Sequence, residues 1–211
     1  MFNVNSYNRI VIKIGSAVLA TNNGKVNHNV LTSISEDIAW LFKKNKEVLI
    51  VSSGAIALGR KKIKFSENLS LAESQALAAH GQIELMSAWK KHLTKFSIPI
   101  GQILLTPRDT ELKVSSENAT QTVSKLLEAS CLPIINENDS TATDEIRFGD
   151  NDLLAAKVAK LIEADLLIIL STVDGLYNSV KDVQIKNRNS LVKEVNKITP
   201  KIKKMAGDAS Q

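Results

Sequence analysis

The chain has 211 residues, of which 44% are hydrophobic and 23% charged, a composition that excludes a disordered or fibrous polymer and suits one large or two small globular domains. Aromatic residues are only 4% and there is a single cysteine, Cys131, so the expected core is one of Ile, Leu, Val and Ala packed between layers of secondary structure, with neither an internal disulfide nor a structural zinc site to hold it. The net charge of +5 would suit anionic partners, from nucleic acid to phosphorylated small molecules.

Arg9 to Lys13 is a short apolar run rich in β-branched residues that stops at Gly15-Ser16, the pattern of a buried strand and its turn. Leu31, Ile34, Ile38 and Leu41 then recur at helical spacing, and Glu47 to Ser52 forms a second buried strand closed by Ser53-Gly54. Strand, helix and strand in that order predict a parallel pair. A long Ala-rich helix is expected from about Leu71 to Phe96, interrupted by Gly81. Gln102 to Thr106 reads as a strand, Glu117 to Ala129 as a helix, Leu132 to Ile135 as a strand, Asp152 to Ile162 as a helix and Asp165 to Ser171 as a strand. The alternation predicts an α/β fold, a three-layer α/β/α sandwich around a mostly parallel sheet. Asn178 to Ser190 is the richest polar stretch and reads as a surface excursion.

One domain spanning 1–211 is expected. No strand follows the terminal Asp208-Ala209-Ser210-Gln211, so the sheet is expected to be incomplete at the C-terminus. The longest apolar run, Leu166 to Leu170, is far short of the roughly 20 residues that span a bilayer. The first residues lack a signal-peptide core, and the expectation is a cytoplasmic protein without membrane partners.

In a parallel sheet, ligands collect at the carboxyl ends of the strands, where turns lead into helix N-termini with unpaired N–H groups. Lys13-Ile14-Gly15-Ser16, Ser52-Ser53-Gly54-Ala55, Asn136-Glu137-Asn138-Asp139 and Ser171-Thr172-Val173-Asp174 all fall at such ends, which predicts one shared site. A lysine at a strand end followed by glycine can aim its ammonium at a phosphate. Gly54 to Lys61 has the glycine spacing of a Walker A loop, but Arg60 replaces its lysine and Lys61 its Ser or Thr. That assignment fails, leaving an anion-binding turn at Ser53 and Gly54. His28, His80 and His92 have no partner at metal-ligand spacing, so each is expected at the surface or satisfied in the core, and no residue is assigned to a metal. Asn136 to Asp152 carries Glu137, Asp139, Asp144, Glu145, Asp150 and Asp152 against one base, Arg147. This acidic island in a basic chain, without a hydrolase triad, suits phosphorylation of a carboxylate. Such an acceptor, with a pKa of about 4.3, needs no general base, only cations and dipoles to let anion meet anion.

Read together, Ile10 to Ser16, Val51 to Gly59, Ala78-Ala-His-Gly-Gln82, Gln102 to Thr106, Pro133-Ile-Ile-Asn-Glu-Asn-Asp139 and Ala142-Thr-Asp-Glu-Ile-Arg-Phe-Gly-Asp-Asn-Asp152 resemble the amino acid kinase family. Within it they resemble the branch that phosphorylates the side-chain carboxylate of L-glutamate for proline biosynthesis, in its form without an appended RNA-binding-like domain. The resemblance implies ATP and Mg2+ as cofactors, Lys13 as the residue on the transferring phosphoryl group, and Asp152 as the acid that orients catalytic lysines. It places Ser53, Gly54, Asn136, Asp139, Asp150 and Asn151 on glutamate, and Lys13, Gly15, Ser16, Ser171 and Thr172 on the nucleotide, and it implies an acceptor-binding part over about 1–164 and the start of a nucleotide-binding part over about 165–211. The family often has Asp where Thr172 stands. A homo-oligomer, dimer or tetramer, and feedback by proline are also implied. The alternatives are a related kinase of acetylglutamate, aspartate or carbamate and, from another class, a basic nucleic-acid-binding protein; the first is preferred to the second because aromatics are few and no nucleic-acid motif is present.

Overall fold

β-Branched and leucine-rich runs become strands wherever crossover helices can cover both faces of the sheet. The computed structural model describes residues 3–21, 23–141 and 151–205. Its strands are β1 (Arg9–Ile14), β2 (Glu47–Ser52), β3 (Ile100–Leu105), β4 (Leu132–Glu137) and β5 (Leu166–Leu170), in the order β3-β4-β2-β1-β5 with every pair parallel. The helices are α1 (Ser16–Leu19), α2 (His28–Lys43), α3 (Ala55–Gly59), α4 (Leu71–Leu93), α5 (Pro107–Glu111), α6 (Lys113–Glu128), α7 (Asn151–Leu161), α8 (Val180–Gln184) and α9 (Pro200–Met205). The chain divides into two compact units, residues 1–170 and 171–211, and the sheet lies wholly in the first.

Side-chain alternation along each strand sorts residues onto two faces. Ile10, Ile12, Ile14, Val48, Ile50 and Ile134 pack with Ile38 of α2 and with Leu85 and Trp89 of α4. Val11, Leu49, Val51 and Ile135 pack with Ala119 and Val123 of α6 and with Leu154 and Val158 of α7. This is the expected α/β/α sandwich, and its parity decides where polar strand ends point. Ser52 and Asn136 continue the α4 face, whereas Lys13 and Glu137 continue the α7 face.

The amino ends of the strands are stapled by charge. Asp165 accepts backbone N–H groups from Asn8 and Arg9, both at 2.8 Å, and these bonds hold its carboxyl below the usual value. Arg9 pairs with Glu47 at 2.7 Å and donates to the Ile162 carbonyl at 2.6 Å. At the start of α4, Ser70 and Glu73 form a reciprocal capping box, which satisfies two of the helix's orphan donors.

Four helices differ from the sequence reading. Gly81 does not interrupt α4, which runs unbroken from Leu71 to Leu93. A Cβ there would lie 1.7 Å from the Ala55 carbonyl oxygen, and one at Gly59 would lie 2.1 Å from that of Leu77, so the two glycines let α3 and α4 cross backbone to backbone. The helix expected to begin at Glu117 begins at Lys113. The short helices α1 and α5 had no sequence expectation; α5 starts where Asp109 accepts from both the N–H and the hydroxyl of Thr106, at 2.6 and 2.7 Å.

In the second unit, α8 begins at Ser179, whose side chain accepts from the Asp182 N–H. A single antiparallel bridge joins Tyr177 to Leu191, and Tyr177 is buried. The polar stretch from Asn178 to Ser190 thus carries α8 and a 3-10 turn. No helix among the described residues is long and apolar enough to cross a membrane.

Candidate active site

Gly54 sits at the amino end of α3 with φ of 111°, a conformation that only glycine adopts without strain. It turns the chain sharply from β2, so that Ser53, Gly54, Ala55, Ile56 and Ala57 face a cleft at the carboxyl ends of the strands. The cleft, of about 420 Å3, is completed by Ser16, Arg60, Asn136, Glu137, Asp139 and Asn151. Ser16 opens α1 as Ala55 opens α3, and the first N–H groups of a helix have no partner within it. A larger groove of about 790 Å3 runs along α6, but it is lined by Asn118, Gln121, Lys125 and their neighbours and holds none of the motif residues.

An amide chain crosses the cleft floor. Asn136, 2% exposed, accepts the backbone N–H of Glu137 at 2.9 Å and the Asn151 side-chain amide at 2.9 Å, and donates to Gln82 Oε1 at 2.9 Å. Asn151 also donates to Ser53 Oγ at 2.8 Å. Residues distant in sequence thereby form one connected network, and a buried polar group is tolerable only when paired in this way. On the same face, Trp89 Nε1 donates to Ser52 Oγ at 3.2 Å, which fastens α4 to the end of β2.

Lys13 is buried at 6% exposure between Val51 and Ile169 of the flanking strands. Its ammonium forms an ion pair with Asp152 Oδ1, on the first turn of α7. The following turn is tied to β5 by Gly15 N–H donating to the Leu170 carbonyl at 3.1 Å. A Cβ at Gly15 would lie 3.7 Å from Lys13 Nζ, so the ammonium sits beside the bare backbone of the turn. The Gly15 N–H is itself engaged and is not available to a phosphate.

The structure therefore brings together Ser16, Ser53, Gly54, Asn136, Asp139 and Asn151 around one cleft, with the Lys13–Asp152 pair joined to it through Asn151. Asp150 lies outside the described residues, as do Asp144, Glu145 and Arg147. Ser171 and Thr172 begin the second unit, where both are exposed and Thr172 borders a cavity of about 120 Å3 with Asp174, Tyr177, Lys186 and Arg188. Gln82, Glu137 and Arg60 carried no role in the sequence reading. Gln82 had a signal, a long polar side chain beside the buried stripe Leu77, Ala78, Leu85 and Trp89 of α4.

The remaining polar core is a histidine pair. His28 Nδ1 lies 3.0 Å from His92 Nε2, with the rings stacked at 5.3 Å, and Thr32 Oγ1 lies 3.2 Å from His92 Nδ1. Burial and then the charges of His28, Lys95 and Lys91 push the His92 pKa below its usual value. His92 is thus a satisfied core group and His28 lies at the surface beside it, as expected of lone histidines, whereas His80 Nε2 is buried with no hydrogen-bond partner among the described residues.

The buried Lys13 and the openings of α1 and α3 thus stand together at the carboxyl edge of a parallel sheet. The model of the amino acid kinase family matches residues 8–207, and the chain belongs to that family. It is 50% identical over 205 residues to the glutamate 5-kinase of Allorhizobium ampelinum, covering 97% of this chain and 52% of the relative. The glutamate 5-kinase of Bradyrhizobium diazoefficiens is 47% identical over 210 residues, covering 98% and 55%. Glutamate 5-kinase 1 of Rhizobium meliloti is 48% identical over 206 residues, covering 97% and 52%. The chain spans about half the length of the curated relatives it matches.

Proposed function

We propose that the protein transfers the γ-phosphoryl group of ATP to the side-chain carboxylate of L-glutamate, forming glutamyl 5-phosphate. The observation that carries this reading is the cleft in which Ser53, Asn136, Asp139 and Asn151 meet the openings of α1 and α3, with the buried Lys13 paired to the half-buried Asp152, which follows Asn151 in the chain. The names and identities of the relatives support glutamate as the acceptor.

The acceptor oxygen is already ionised at neutral pH, so the residues supply alignment and charge rather than a base. Ser53, Gly54, Asn136, Asp139, Asp150 and Asn151 hold glutamate. Asp139 suits the substrate ammonium, and Ser53 with the N–H groups at the start of α3 suits a carboxylate. Lys13 stabilises the charge that spreads over the transferring phosphoryl group, and Asp152 keeps its ammonium in place. Ser16, after the bare backbone of Gly15, is assigned to the nucleotide phosphates, and Ser171 and Thr172 are likewise assigned to the nucleotide. Mg2+ would arrive on the nucleotide phosphates and neutralise them; among the described residues no cluster of three His, Cys, Asp or Glu side chains could cage it. A cytoplasmic homo-oligomer restrained by proline belongs to the same reading.

Trapping of acyl phosphate with hydroxylamine tests the proposal. Glutamate with ATP and magnesium should give the hydroxamate, with aspartate, acetylglutamate and carbamate at least about tenfold slower, since a polar site left with unpaired groups discriminates strongly. Comparable or faster turnover of another acceptor overturns the choice of glutamate. Size-exclusion chromatography and added proline test assembly and feedback in the same preparation.

A further inference from the structure

We propose that Gln82 is a positioning residue for the acceptor: it fixes the orientation of the Asn136 amide and, through it, the groups that Asn151 and Ser53 present to the cleft. The inference rests on the proposed function and deepens it.

A backbone N–H cannot be turned around. The Glu137 N–H, 2.9 Å from Asn136 Oδ1, therefore requires the Asn136 oxygen on its side and sends Nδ2 the other way. Gln82 Oε1 meets that nitrogen at 2.9 Å. The same Asn136 oxygen takes the Asn151 amide at 2.9 Å, which also donates to Ser53 Oγ at 2.8 Å. With one lone pair of Ser53 engaged, its hydroxyl hydrogen is left to donate to a carboxylate oxygen in the cleft. The Asn151 oxygen is left to accept from an ammonium or a hydroxyl. Turning the Asn136 amide over would set its nitrogen against the Glu137 N–H and the Asn151 amide, donor against donor. Gln82 adds to that preference, because a turned Asn136 would also set its oxygen against Gln82 Oε1, acceptor against acceptor.

Gln82 stands on backbone that cannot drift. Its neighbour Gly81 is pressed against α3, where a Cβ would meet the Ala55 carbonyl oxygen at 1.7 Å and the Gly59 nitrogen at 2.7 Å. One turn and a further turn on, Leu85 and Trp89 are buried in the core. Stability alone does not explain a glutamine at this place, because its Nε2 is buried with no hydrogen-bond partner among the described residues. A buried donor left unpaired opposes folding, and an apolar side chain of equal length would avoid that loss.

Gln82→Met keeps length and removes the accepting oxygen. In the intact protein it should raise the glutamate KM by about tenfold or more, the scale of one buried hydrogen bond lost, while the ATP KM stays within about twofold. In an Asn136→Ala background the same change should add nothing to the glutamate KM, because the two residues act as one unit. Thermal unfolding should shift little. An unchanged glutamate KM, equal rises for both substrates, or additive effects in the Asn136→Ala background would overturn the assignment. Gln82→Asn, which draws the oxygen back while staying polar, gives a second measure should Gln82→Met not fold; it should raise the glutamate KM alone, and a wild-type value would overturn the proposal. Wild-type turnover is measured first with the acceptor panel. Failure with glutamate alone counts against the proposed function, and the cycle is then read with the acceptor that reacts.

Discussion

Strands β4 and β5 reverse what their composition suggests. Leu132-Pro-Ile-Ile-Asn-Glu137 ends in two polar residues, and all six of its residues are buried. Leu166-Leu-Ile-Ile-Leu170 has no polar residue, yet none is fully buried and Ile169 is 46% exposed. The difference is position in the sheet. β4 lies between β3 and β2 with α4 and α6 over its faces, whereas β5 pairs only with β1 in the described sheet. Burial of Asn136 is compensated by the amide chain. Exposure of Ile169 is an ordinary consequence of standing at an edge. Polar residues at the centre of a fold, fully paired, point to function more clearly than apolar residues at its margin.

The contrast is broken most directly at β1, where Lys13 is as deeply placed as the aliphatic residues around it. Lys13→Ala should lower kcat by two to three orders of magnitude, since one preorganised donor at a developing charge contributes about 3 to 4 kcal/mol. Circular dichroism should remain that of the folded chain, and wild-type turnover in the acyl phosphate assay would remove Lys13 from the chemistry.

The same substitution at two strands sharpens it further. Ile134→Ala in β4, where the side chain is fully buried, should destabilise by about 2 to 5 kcal/mol in urea unfolding. Ile169→Ala in β5 should stay within about 0.5 kcal/mol, as surface changes usually do. Equal losses would mean that β5 is as enclosed as β4.

The smallest effect belongs to the histidine pair outside the cleft. His92 has its pKa lowered in the fold, by burial first and then by His28, Lys95 and Lys91. Below the ordinary imidazole value of about 6.5 the unfolded chain therefore binds more protons than the folded one. Stability is fully present above that value and is lost as pH falls toward the lowered folded value. Unfolding followed between pH 8 and pH 5 should show this decline, with a shallower slope in His92→Gln. An identical slope in the variant would assign the decline to other groups.

Local patterns were enough to read most of the strands and the long helices, because β-branched runs and apolar residues at helical spacing report burial directly. The parallel sheet followed from the strand, helix and strand order. Gly81 was misread for a physical reason: in sequence a glycine lowers helix propensity, and only the crossing with α3 shows why it is needed. The helix α5 was missed because a single turn has no periodicity to detect. Within the site, the motif residues were legible as polar groups at strand ends, but the partner of Gln82 was not, since nothing local links a helix residue to Asn136 fifty-four positions away.

What the amino-acid order determined by itself was the material of this protein. It set aliphatic strands, helices to cover them, polar groups and glycines at the strand ends, and the family that these motifs mark. What the tertiary structure decided was connection. The parity of β1 and β4 turns Lys13 toward α7 and Asn136 toward α4, and the close crossing of α3 and α4 brings Gln82 within reach of Asn136. The reason is geometric: periodicity records which side of an element is covered, while hydrogen bonds between distant residues depend on how those elements are placed against one another.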